Sequence, residues 1–154
     1  MRFHLIDRVE SWEPMRHITA RKATSVYEDY WQHSAAGPVA PFGVVLEALC
    51  QAGAWLVLLS SEHRKRAALL GIGEVSVLGE ATPGDVLRMS AEVVSAHRRT
   101  AVVHGRVTVG EHPILVVRNL MCALIDADRL DDPADTERLA HALLGRGPLD
   151  WSRQ

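Results

Sequence analysis

Between residues 44 and 59 every side chain is apolar or small except Glu47 and Gln51. These two stand four apart, so on a helix they stack on one face, and Ala54, Trp55 and Leu58 continue that face. The face is therefore no solvent stripe, and the sequence predicts a Glu47 carboxyl that is buried or faces a cavity. A buried carboxylate without a partner is costly. Such a group caps a loop, pairs with an arginine, or stays protonated through a raised pKa, and the last case suits it to proton transfer. Upstream, residues 27–36 show no period of 2 or 3.6 and read as a loop that carries Tyr30, Trp31 and His33. One histidine of eight, placed in a loop, is by itself most simply a surface group. Cys50 and Cys122 sit singly in apolar segments with no Cys-x-x-Cys spacing. That usage fits reduced, packed thiols, with no disulfide, no metal site and no cofactor.

The element that holds Glu47 is too long for a strand and reads as a buried helix with apolar surroundings on nearly every side. Pro38 and Pro41 keep the preceding residues extended, so the helix should begin at Phe42 or Gly43. The run is shorter than the roughly 20 residues of a membrane span and carries a carboxylate. With 154 residues, 47% of them hydrophobic, and a net charge of −2, the chain reads as one soluble domain with a real core. Nothing in it points to nucleic acid or membrane. No charged segment followed by an apolar one opens the sequence, so a cytoplasmic location is expected.

The rest of the chain is strand-like. Residues 3–12 and 17–26 read as a hairpin around Glu13-Pro14-Met15. After the helix, Arg64-Lys65-Arg66 fall where cations favour a helix C-terminus. Residues 67–78 form a strand. The turn Thr82-Pro83-Gly84-Asp85 leads into an alternating strand from Leu87 to Val93, and His97-Arg98-Arg99 and Gly110-Glu111-His112-Pro113 make two further turns. Residues 114–125 are apolar on both faces apart from Arg118 and Asn119, which predicts a central strand. A short terminal helix follows, with Asp132 as N-cap, Pro133 at N1, Leu139, Leu143 and Leu144 on one side, and Gly145 and Gly147 as stops. The order predicts an α+β fold in which two strands, one long apolar helix and a four-stranded meander make an antiparallel sheet wrapped around the helix. Residues 1–125 form that domain, and residues 126–154 are an extension of it bearing the short helix. One sheet cannot cover a helix that is apolar all round, so at least a homodimer is expected.

The segment Gln32-His33-Ser34-Ala35-Ala36-Gly37-Pro38-Val39-Ala40-Pro41-Phe42-Gly43-Val44-Val45-Leu46-Glu47-Ala48-Leu49-Cys50-Gln51 resembles, without a gap, the signature of the hot-dog-fold 3-hydroxyacyl-acyl-carrier-protein dehydratases of the FabA/FabZ type. Shorter matches at residues 3–9, 70–72, 83–85 and 120–123 extend the resemblance from Phe3 to about Ile125. It implies a hot-dog fold and dehydration of a 3-hydroxyacyl thioester, linked to acyl carrier protein or coenzyme A, in fatty-acid or polyketide-type biosynthesis. It also implies His33 and Glu47 as the catalytic pair, meeting across a dimer, and Tyr30, Phe42, Gly43 and Gln51 as the substrate-binding set. Removing a proton from C2 while protonating the hydroxyl that leaves C3 requires a base and an acid on either side of the substrate. The environments suggest His33 as base and Glu47 as acid, and the reverse assignment satisfies the same chemistry. Free amides near Phe42 and Gly43 could stabilise charge on the thioester oxygen.

The chain departs from the family signature at Gln32, Ser34, Gly37 and Phe42. Where the family has a basic strand against its acidic carrier, this sequence has Glu74 and Glu80. Carrier contact would then fall to Arg64 and Lys65 after the helix and to Arg98 and Arg99 at the hairpin. Two other readings share the same residues. A hot-dog thioesterase would use Glu47 to activate water, and a non-catalytic acyl-binding subunit would use neither group.

Overall fold

The computed structural model describes residues 3–130 and 132–145. Strands β1 (Arg8–Glu13) and β2 (His17–Ala23) form the expected hairpin. Its first strand is shorter than the sequence suggests, because Leu5 is bonded elsewhere: its amide donates to Gln51 Oε1 at 2.9 Å, which draws the N-terminal segment onto the helix. The stretch expected to be an irregular loop contains a miniature hairpin, β3 (Gln32–Ser34) with β4 (Gly37–Val39). Gly37 makes its turn possible at φ +120°, and Ser34 Oγ donates to the Gly37 carbonyl.

Helix α1 runs from Phe42 to Ser60, starting directly after Pro41 as the prolines require. At 19 residues it is long and apolar enough to cross a membrane by length and composition, a test that a buried core helix also passes, and it packs against the face of a sheet. Its burial is uneven. Trp55, Leu56, Val57, Leu58 and Leu59 are all buried, whereas in the first half Val45, Ala48 and Leu49 are buried but Phe42, Gly43 and Glu47 are exposed, so the expected apolar surroundings on nearly every side hold for the second half and on one side only for the first.

Strands β5 (Lys65–Val77), β6 (Val86–Ala96), β7 (Thr100–Val109) and β8 (His112–Asp126) complete an antiparallel six-stranded sheet of order β1-β2-β6-β7-β8-β5. The expected four-stranded meander is therefore only three strands, β6-β7-β8. Strand β5 leaves the helix, passes to the far edge and pairs with β8, where Ile72 lies opposite Leu120 and Val75 opposite Val117. This placement puts β8 in the interior of the sheet, as its two apolar faces predict, with Ile114, Leu115, Val117, Leu120 and Cys122 buried. The expected basic cap on α1 does not form. The helix has no basic residue in its last turn, and Lys65 and Arg66 instead open β5.

Helix α2 (Pro133–Leu143) has the predicted start, with the Asp132 carboxylate accepting the Ala134 amide at 2.9 Å and proline in the first turn. Gly145 ends it at φ +64°, and the second expected stop, Gly147, lies outside the described residues. Thr136, Ala140 and Leu143 are its buried residues, and Arg66 of β5 donates to Thr136 Oγ1 at 2.8 Å.

Candidate active site

Gly43, Glu47 and Gln51 recur every four residues and share one face of α1. Gln51 is fully engaged within the chain: its Nε2 donates to the Phe3 carbonyl at 2.9 Å and to Glu47 Oε1 at 3.0 Å, and its Oε1 accepts the Leu5 amide. No amide proton is left for a substrate. Its role here is to clamp the N-terminal segment to the helix and hold one carboxylate oxygen of Glu47 in place.

Glu47 is not buried, but it lines a cavity of about 200 Å³ between α1 and the inner face of the sheet. The walls are small or apolar, among them Cys50, Gly53, Ala54, Ala67, Leu69 and Cys122. These wall residues were missed from sequence. The legible signal was Gly53, because a glycine inside a helix costs about 1 kcal/mol relative to alanine and needs a packing or functional reason. Nothing lies within 4 Å of where its Cβ would stand, so its missing side chain leaves open space in the cavity. Gly105 does the opposite. A Cβ there would meet Leu49 Cδ1 at 2.8 Å, so this glycine lets the helix sit close to β7.

Burial pushes the Cys50 thiol up to about 11, with smaller contributions from Glu47 and Cys122. Cys122 is also raised, chiefly by burial, against a lowering by its bond to the Ala101 carbonyl. Both thiols therefore stay protonated near neutrality and contribute walls, not nucleophiles. Among the described residues no group of three or more His, Cys, Asp or Glu is arranged to hold a metal.

At the start of α1 the Val44 and Val45 amides both return to the Pro41 carbonyl, at 2.9 and 3.3 Å, and no side chain caps the end. The Phe42 and Gly43 amides thus precede the first helical bonds. Gly43 has nothing within 4 Å of its virtual Cβ, so the backbone is open to approach about one turn from Glu47.

His33 is exposed on β3, opposite Pro38, and is absent from the cavity that Glu47 lines. One chain does not bring the two groups into one pocket. Tyr30 stacks edge-on to Phe3 with ring centroids 6.4 Å apart, and burial, helped by Glu28, Asp7 and Asp29, pushes its hydroxyl up to about 12.

The segments that carry the four cations expected at a carrier surface lie at one end of the sheet. Leu124 of β8 lies opposite Ala67, and its amide donates to the Arg99 carbonyl, so the Arg98-Arg99 turn and the start of β5 share one end of the sheet. Lys65 is paired with Asp126, and Arg64 stands 3.7 Å from Glu62. Glu74 lies opposite Arg118 on β8, so the acidic strand has a cation beside it.

An antiparallel sheet around one long helix, with a carboxylate at the helix start facing an apolar cavity, defines a hot-dog protein. Solved structures agree on the fold. An uncharacterized protein from Pyrococcus horikoshii superposes with TM-score 0.64 at 16% identity, covering 82% of this chain and 88% of that one. A hypothetical thioesterase protein with coenzyme A from Streptococcus pneumoniae matches with TM-score 0.59 at 19% identity, covering 77% and 85%. In sequence, the FabA-like domain model matches residues 1–118. The 3-hydroxyacyl-[acyl-carrier-protein] dehydratase FabZ of Symbiobacterium thermophilum is 37% identical over 127 residues, 81% of this chain and 89% of its own length. That of Moorella thermoacetica is 37% identical over 111 residues, covering 71% and 78%. The chain belongs to the FabA-like family of hot-dog proteins.

Proposed function

We infer that this chain is a hydro-lyase that converts a 3-hydroxyacyl thioester, carried on an acyl carrier protein, to the 2-enoyl thioester and water. The observation that carries the reading is Glu47, held by Gln51 at the mouth of a small-walled apolar cavity, one turn from the uncapped start of α1. The acyl tail enters the cavity and the thioester carbonyl turns toward the Phe42 and Gly43 amides. His33 takes the C2 proton, the electron pair of the broken C–H bond forms the C2–C3 double bond, and the C3–O bond breaks. Glu47, as the acid of the pair, gives a proton to the departing oxygen, which leaves as water. Charge that gathers on the thioester oxygen meets backbone donors already fixed in place. Return of a proton from His33 to Glu47 through solvent resets the pair.

We propose further that the site is completed by a second copy. Strand β5 is a 13-residue edge, uncharged over residues 67–73, that exposes Leu69, Leu70, Val75 and Val77. A long apolar edge of this kind is unstable in water unless another strand covers it. Pairing of two β5 edges gives a continuous sheet over both helices, and the His33 hairpin of one copy then reaches the Glu47 cavity of the other.

The test is direct. Purified protein mixed with a 3-hydroxyacyl thioester should yield the enoyl product, and His33→Ala and Glu47→Gln should each cut the rate by about 100- to 10,000-fold with the fold intact by circular dichroism. Release of free thiol from a saturated acyl thioester, lost in Glu47→Gln but not in His33→Ala, would replace dehydration with hydrolysis.

A further inference from the structure

The family match ends at residue 118, whereas α2 begins at Pro133, so this helix is outside the shared domain. It nevertheless roofs a second cavity of about 440 Å³, in which Thr136, Leu139 and Leu130 face Trp55 and Leu58 of α1. This cavity and the one at Glu47 have Gln51, Ala54 and Ala67 in common. The two therefore adjoin and follow α1 in sequence, the first spanning Glu47 to Ala54 and the second Gln51 to Leu58. From Glu47 to Leu58 the helix rises about 16 Å. Of the three shared residues, Ala54 and Ala67 are the smallest side chains that still have a Cβ, and Gln51 is held against the N-terminal segment by its bonds to Phe3 and Leu5.

We propose that α2 is the end wall of the acyl pocket: a long acyl tail passes Glu47, crosses Ala54 and Ala67, and ends beneath Leu139. This rests on the acyl-thioester reading above. The first cavity alone sets a lower bound. An apolar cavity of about 150 Å³ holds a benzene-sized ligand, so about 200 Å³ accommodates a short tail only. Longer tails require the second cavity, whose lining is mainly apolar and whose roof is fixed by the Arg66 bond to Thr136. Chain-length preference thus resides in a helix outside the part of the chain that the family model matches.

The experiment compares butyryl, octanoyl and dodecanoyl coenzyme A by calorimetry, and their 3-hydroxy forms by turnover, in wild type, Leu139→Trp and Leu139→Ala. Each methylene that finds apolar cover strengthens binding several-fold, so wild type should favour dodecanoyl over butyryl. Leu139→Trp should lower the dodecanoyl-to-butyryl ratio about tenfold, and Leu139→Ala should leave it level or raise it. Ala54→Leu, which narrows the passage from α1 without touching α2, should reproduce the loss. A ratio identical in all four proteins, or no binding of any acyl thioester, overturns the proposal. Binding that follows the predicted ratios without formation of enoyl product would instead refute the dehydratase reading and leave the pocket standing.

Discussion

Gly105→Ala tests how closely α1 is seated on the sheet. A Cβ at position 105 would lie 2.8 Å from Leu49 Cδ1 and 2.9 Å from Cδ2, both nearer than real Cβ contacts, and 3.1 Å from Cγ, tighter than most of them. Leu49 is 2% exposed, so its branch cannot swing into solvent and its main outlet is the cavity beside it. Overpacking a core of this kind costs about 1–3 kcal/mol. Against it stands a gain of about 0.4–1 kcal/mol from restricting the unfolded chain, since no positive φ makes alanine strained here. At the middle of each range the clash wins by about 1 kcal/mol, which for a chain of this length lowers Tm by about 2–4 °C. The decisive assay is a double-mutant cycle by urea denaturation at one fixed protein concentration. In a Leu49→Ala background the three clashing atoms are gone, and Gly105→Ala should become stabilising by about 0.4–1 kcal/mol. Equal destabilisation in both backgrounds would refute the contact as the cause.

Other expectations follow from the same geometry. Val75→Lys on the β5 edge should convert an assembled protein to monomer in sedimentation and abolish turnover together with it; a fully active monomer would remove the shared site. Arg98→Glu with Arg99→Glu should slow a carrier-linked substrate far more than its coenzyme A analogue, and added salt should mimic the change. Equal slowing of both substrates would place carrier docking elsewhere. The Cys50 thiol is pushed from 9.0 to about 11, so the folded chain holds this proton more tightly than the unfolded one. Its contribution is present in full below pH 9 and is lost as pH rises from 9 toward 11. Cys50→Ala should flatten that alkaline decline, and an unchanged slope would deny the thiol a part in it.

Much of the fold was legible because local chemistry decided it. Pro41 sets the first residue of α1, Asp132 and Pro133 set the first turn of α2, and the two apolar faces of β8 demand an interior place. Pairing partners were less legible. Strands β6, β7 and β8 are joined by short turns and pair as neighbours, but β5 follows a 19-residue helix whose far end sets where the strand enters. Periodicity within β5 carries no trace of that choice. The hairpin of β3 and β4 was missed for another reason: at three residues a side, its strands are too short to show alternation. Gln51 was legible as a polar residue on an apolar helix, but its partners Phe3 and Leu5 lie more than 40 residues away, and sequence spacing cannot reveal them.

Three observations about a single chain share one physical cause under the proposed assembly. Glu47 stands exposed although its helix is apolar, His33 lies outside the cavity that Glu47 lines, and β5 presents leucine and valine side chains along an unpaired edge. Each is unfavourable or unproductive alone. A carboxylate at an open cavity meets water as readily as substrate, an isolated histidine has nothing to act upon, and an apolar edge invites pairing. A second copy on β5 would cover the edge, exclude water from the mouth of the cavity and bring a histidine to it in one step. The two halves of the acid–base pair would then meet only on assembly, so the fraction of protein in the paired form should set the activity. Specific activity should therefore fall on dilution through the dissociation range, in parallel with the loss of paired species by sedimentation. Constant specific activity across that range would mean that one chain suffices.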